Sequence, residues 1–144
     1  MAMARELSSV DWRALHAPSL GVFEQMADEA WRRLPARFRE LCGDIVVRIE
    51  DFATDEILDD MDIDDPFELM GLYQGVSLDK QSMSDVPHAP NMIFLYRRPI
   101  LDHWGEGEET LGDLITHVLV HEVGHHFGLS DADMEEIEDE AVST

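Results

Sequence analysis

The chain reads as an α+β domain, a small mixed β-sheet packed on helices, and three features of the sequence lead there. Apolar residues recur at helical spacing early in the chain, three short runs rich in β-branched and aromatic residues follow, and an amphipathic helix closes the chain near its C-terminus. With 144 residues and 44% hydrophobic content there is apolar material for one core, and no repeat or low-complexity linker divides the chain.

From Ser19 to Leu41, the residues Val22, Phe23, Met26, Ala30, Leu34, Phe38 and Leu41 mark a helical face, and Pro35 either kinks the segment or opens a second helix. Cys42 is expected to be a small buried thiol at the end of that helical stretch. Ile45–Glu50 is the first predicted strand, and Leu72–Leu78 and Met92–Arg98 are the second and third. Asp51 to Glu68 is read as a solvated acidic loop. Its D-x-D-x-D spacing is that of a calcium loop, but Gly71 stands where an EF-hand needs its bidentate Glu. The predicted boundaries are an N-terminal extension over 1–18, one domain over 19–135 and an acidic C-terminal tail over 136–144.

The amphipathic helix near the C-terminus is predicted to open at Thr110, an N-cap with Asp113 three residues on, and to run to Phe127. Leu111, Ile115, Leu119, Val123 and Phe127 form its apolar arc, while His117, His121 and His125 form a stripe on the other side. At i, i+4 spacing the imidazoles of His121 and His125 sit one turn apart and can reach one ion at about 2.0–2.1 Å. Glu122 directly follows the first of them, where a carboxylate can take a proton from water. It lies at the margin of the apolar arc, so partial desolvation is expected to raise its pKa. Gly128 can take the left-handed conformation that ends the helix and turns the chain back, aiming Asp131 at the ion as third ligand. Asp133, Glu135, Glu136, Glu138 and Asp139 are rivals for that role, and Asp131 has the better spacing.

Other residues carry weaker signals. His126 is expected in the apolar arc, as a core histidine or one supporting a ligand. His117 is read as a histidine at the cleft mouth that faces solvent or touches a carboxylate or substrate. Met134 is read as an apolar contact of a short C-terminal helix. Tyr73, Tyr96 and Trp104 are expected to be packing residues, one tyrosine being a possible oxyanion donor, and His16, His88 and His103 are uninformative.

The stretch His121-Glu122-Val123-Gly124-His125-His126-Phe127-Gly128-Leu129-Ser130-Asp131 resembles the metzincin-type zinc signature, with Asp131 in the place of the commoner third His. Together with the doubled His125-His126, Gly71-Leu72-Tyr73-Gln74-Gly75-Val76 and Ile93-Phe94-Leu95-Tyr96-Arg97-Arg98, it resembles the small bacterial zincin-like metallopeptidase family over about residues 20 to 135. That resemblance implies a minimal zincin-like fold with the H-E-x-x-H helix near the C-terminus and a bound Zn2+. In the wider zincin class an edge strand pairs with extended substrate. By that resemblance Met92–Tyr96 is the candidate.

Against 10 Lys and Arg stand 32 Asp and Glu, a formal charge of −22 that argues against nucleic-acid phosphates or anionic membranes as partners. Peptide or protein substrates of neutral or cationic character fit it. Cys42 is the sole cysteine, so no internal disulfide forms, and the N-terminal residues lack the apolar run of a secretory signal. A cytoplasmic location is expected. The leading expectation is a zinc peptidase in which His121, His125 and Asp131 hold the metal and Glu122 activates water. The alternative is a metal-binding protein without turnover, acting in partner recognition or structural stabilisation.

Overall fold

The computed structural model describes residues 10–75 and 91–143, so the end of the second predicted strand, Val76–Leu78, and His88 lie outside the described residues. After a 3-10 turn at Trp12–Ala14 come α1 (Leu20–Arg33), α2 (Ala36–Cys42), β1 (Ile45–Glu50), α3 (Asp55–Asp60), β2 (Gly71–Gln74), β3 (Asn91–Tyr96), α4 (Arg97–Glu106), α5 (Leu111–His126) and α6 (Asp131–Ser143). The architecture is the α+β arrangement expected of the sequence.

Ser19 caps α1, its Oγ accepting from the Val22 amide at 3.2 Å, and Phe23, Ala27 and Ala30 form the buried stripe. Leu34 is extended because Pro35 follows it, so the proline opens a second helix rather than kinking the first. That helix ends at Gly43, whose φ of +68° suits glycine. Cys42 is buried and closes α2 as expected.

The strands form one sheet in the order β1-β3-β2, with β1 parallel to β3 and β2 antiparallel to it. Alternation along β3 feeds two cores: Ile93 and Leu95 join the main cluster, while Tyr96 joins a smaller one with Ala53, Leu58 and Leu69, against which Phe94 packs. The main core lies between the sheet and α1, α5 and α6, and includes Phe23, Ile115, Leu119, Val123 and Met134.

Three expectations need correction. The third strand stops at Tyr96, and Arg97 and Arg98 begin α4, because their groups are drawn off the sheet: the Arg98 amide donates to Asp51 O, and Arg97 reaches Pro18 O at 2.6 Å and Asp51 Oδ1 at 3.0 Å. The acidic segment is not a plain loop. Thr54 caps α3 by accepting from the Ile57 amide, Leu58 is buried and Ile57 packs beside it, so a few apolar contacts order a short helix whose charged residues stay in solvent. Asp65 serves as a cap as well, accepting from the Phe67 amide at 3.0 Å at the start of the Pro66–Glu68 turn. Finally, residues 136–143 are no loose tail: α6 runs to Ser143, with Ile137 and Ala141 buried in the main core and Arg37 bridging to Glu140 at 2.6 Å.

Candidate metal centre

α5 carries the motif and is the most deeply buried helix of the fold. Thr110 caps it, its Oγ1 accepting from the Asp113 amide at 3.1 Å as the sequence suggests. Leu114, Val118 and Val120 are buried beside the expected apolar arc, so the helix is wrapped on more than one side. Its end is a Schellman turn: the Gly128 amide donates to His125 O, the Leu129 amide to Gly124 O, and Gly128 adopts φ +73°. Ser130 then opens α6 with a reciprocal cap, Asp133 N donating to Ser130 Oγ at 3.1 Å and Ser130 N to Asp133 Oδ2 at 3.2 Å. Asp131 is the first residue of α6.

The turn folds α6 back antiparallel against α5. Gly124 permits the approach, since a Cβ there would stand 2.5 Å from the buried Met134 sulfur. Met134 is therefore the apolar contact expected of the C-terminal helix. The result sets the histidine stripe of α5 against the acidic face of α6.

His121 and His125 lie one turn apart, ring centroids 5.5 Å from each other at 83°, and His117 stacks on the other side of His121 at 3.9 Å. Burial holds His121 below the ordinary imidazole value, and His117 adds to this; Glu138 opposes, His125 lowers it further and Asp131 opposes. The lowered value favours the neutral imidazole, the form that binds a metal. Asp131 is near enough for its charge to act on His121, while its side chain and that of His125 remain exposed.

The tightest donor group among the described residues is a different one: His117, His121 and Glu138, with donor atoms within 4.8 Å of one another. His117 Nδ1 lies 2.6 Å from Glu138 Oε1, and His121 Nε2 lies 3.8 Å from Oε2. His117 thus touches a carboxylate. Glu138, one of several rivals for third ligand, pairs with His117 and His121, and the geometry does not gather His125 and Asp131 into the same group. Its signal in the sequence was the stripe His117, His121, His125 facing Asp131 and Glu138, which seven residues place on one side of α6.

Glu122, next along the helix from His121, lies against the sheet. Its carboxyl is largely buried, and that burial raises its pKa from 4.5 to about 7. β2 lies directly over it: a Cβ at Gly71 would stand 3.2 Å from Glu122 Cγ and 2.9 Å from Val118 Cγ1. Among the described residues β2 is an edge strand, whereas β3 pairs on both sides. Met92–Tyr96 therefore has no free edge, contrary to expectation, and of the two outer strands β1 and β2 it is β2 that lies over Glu122.

His126 departs from expectation. It is exposed, because the last turn of α5 runs past the core, and its ring packs on Tyr73 of β2 with centroids 4.3 Å apart. Tyr96 is fully buried and its hydroxyl, pushed up to about 12 by burial, has no hydrogen-bond partner among the described residues, so it packs rather than meeting substrate. Tyr73, half-buried beside His126, is the tyrosine left near the motif. Trp104, His16 and His103 are exposed.

The donor set suits zinc: imidazoles one turn apart, one of them biased toward its neutral form, with carboxylates supplied by the returning helix. Among the described residues no helix is long and apolar enough to cross a membrane. No curated protein matches the chain. A family model described as zincin-like metallopeptidase matches residues 42–141, which takes in the whole sheet, α5 with its motif and nearly all of α6. The chain belongs to the zincin-like metallopeptidase family.

Proposed function

We propose that the protein is a zinc-dependent peptidase in which His121, His125 and Asp131 hold the ion and Glu122 is the general base. The observation that carries this reading is the placement of Glu122: next in sequence to His121, beneath the edge strand β2, and desolvated until its pKa is about 7. Zinc bound there supplies the Lewis acidity that polarises a peptide carbonyl and makes water acidic near neutral pH.

Everything else falls to the chain's own groups. A base with a pKa near the working pH both accepts and returns a proton efficiently, and burial gives Glu122 that value without a neighbouring charge. As water attacks the carbonyl carbon, a C–O bond forms and the proton passes to the Glu122 carboxylate. As the C–N bond breaks, the same proton goes to the departing amine. The edge of Gly71–Gln74, unpaired by any strand among the described residues, provides backbone donors and acceptors that align an extended peptide across Glu122 by strand addition. The charge of −22 favours neutral or cationic peptides.

Incubation of the zinc-loaded protein with a mixed peptide library, read by mass spectrometry, tests the reading. Zinc-dependent cleavage that disappears in Glu122→Gln is the expected result. No cleavage, with zinc bound and Glu122→Gln indistinguishable from the parent in partner binding as well, would favour a metal-binding protein without turnover.

A further inference from the structure

The histidine stripe of α5 is longer than a single zinc site needs. His117, His121 and His125 repeat at intervals of four residues, spanning about 12 Å of helix, and Asp131 and Glu138 lie about 10.5 Å apart on the facing side of the antiparallel α6. Read across the two helices, the five residues make two sets of two imidazoles and one carboxylate, His121, His125 and Asp131 at one end and His117, His121 and Glu138 at the other. His121 belongs to both.

We propose that His117, His121 and Glu138 form a second metal position, one helical turn from the motif position and competing with it for His121. Four observations support it. The Glu138 carboxylate spreads its oxygens over both rings, 2.6 Å from His117 Nδ1 and 3.8 Å from His121 Nε2, whereas a simple ion pair would engage one histidine. The donor atoms of all three already lie within 4.8 Å, and tetrahedral zinc needs them about 3.4 Å apart, a closure that rotamer adjustment supplies. Both helices are anchored, since Val118 and Ile137 beside the donors are buried. All three side chains retain partial exposure, so an ion can enter.

Two imidazoles and a carboxylate suit zinc, cobalt or nickel rather than calcium or magnesium. A neutral imidazole has one free lone pair, its other ring nitrogen bearing the proton, so His121 serves one ion at a time and the two positions exclude each other. The chain then holds a single ion, and an ion held by His117 and Glu138 deprives the motif set of His121. The inference stands apart from peptide hydrolysis and would hold in a protein without turnover.

Cobalt(II) binding, followed by equilibrium dialysis and visible absorption, tests it. The double variant His125→Ala, Asp131→Ala removes two exposed residues and should still bind one cobalt per chain. Adding His117→Ala or Glu138→Gln to it should weaken that binding by more than about 100-fold, beyond what loss of a supporting contact costs. Should the double variant fail to fold, as judged by circular dichroism, either single variant serves with the same expectation. The parent should saturate at one cobalt. A folded variant lacking His125 or Asp131 that binds no cobalt would overturn the proposal, as would cobalt affinity indifferent to both His117→Ala and Glu138→Gln. Two ions on the parent would refute the sharing of His121.

Discussion

Gly71 of β2 and Glu122 of α5 are packed so closely that a methyl group on the first would stand 3.2 Å from Cγ of the second, and 3.2 Å from the Phe94 carbonyl oxygen on its other side. The absence of a side chain at position 71 is what lets β2 lie directly on Glu122. Gly71→Ala would also bring its methyl group to 2.9 Å from Val118 Cγ1, so the strand, the helix or that side chain has to shift. We expect a loss of about 1–3 kcal/mol in thermal or denaturant unfolding, with peptide turnover reduced more than zinc content.

Gly128 does a different job. Its φ of +73° closes the Schellman turn that returns α6 toward the histidine stripe. Gly128→Ala should destabilise the protein by about 1 kcal/mol or slightly more and weaken zinc binding, measured by competition with a chelator. Gly128→Asn, which tolerates the left-handed conformation better, should recover part of both.

Asp131 and Asp133 are neighbours with separable roles. Asp133 caps α6 through the Ser130 amide, while the charge of Asp131 reaches His121. Asp133→Ala should cost about 0.5–1 kcal/mol of stability and leave zinc affinity near the parent's. Asp131→Ala should do the reverse. If zinc affinity falls more in Asp133→Ala, the third ligand of the motif set has been misassigned.

The Cys42 thiol is buried and pushed up from 9.0 to about 12 by desolvation. It should resist a disulfide exchange reagent at pH 8 and react fully only on unfolding. The folded value is raised, so the native state keeps the proton longer than the unfolded chain does: this contribution to stability is present below about pH 9 and is lost as pH rises toward about 12. Cys42→Ala should lose stability less steeply than the parent over that interval, as followed by circular dichroism.

What the sequence made legible was local. The spacing of His121, Glu122, His125 and Gly128, the Thr110 cap and the break at Pro35 each rest on the geometry of one or two helical turns, and each is found in the fold. Non-local pairings were not legible. That β3 is central and β2 is an outer strand among the described residues depends on strand order, which alternating residues do not encode. The exposure of His126 follows from where the core ends beneath α5, not from its angular position on the helix. Glu138 stood among several acidic residues of equal promise, and only the antiparallel return of α6 puts it against His117 and His121. The helix at Asp55–Asp60 was hidden by its charge, because its order comes from burial of Leu58 with Ile57 packed beside it.

The central claim is that Glu122 acts as the proton acceptor, and Glu122→Gln tests it most directly, since the substitution preserves size and helix propensity while removing the carboxylate. Peptide turnover and bound zinc should be measured on the same samples of parent and variant. In Glu122→Gln kcat should fall by at least about 10²-fold with zinc content unchanged. A Gln variant that hydrolyses the same peptide at the parent's rate would contradict it.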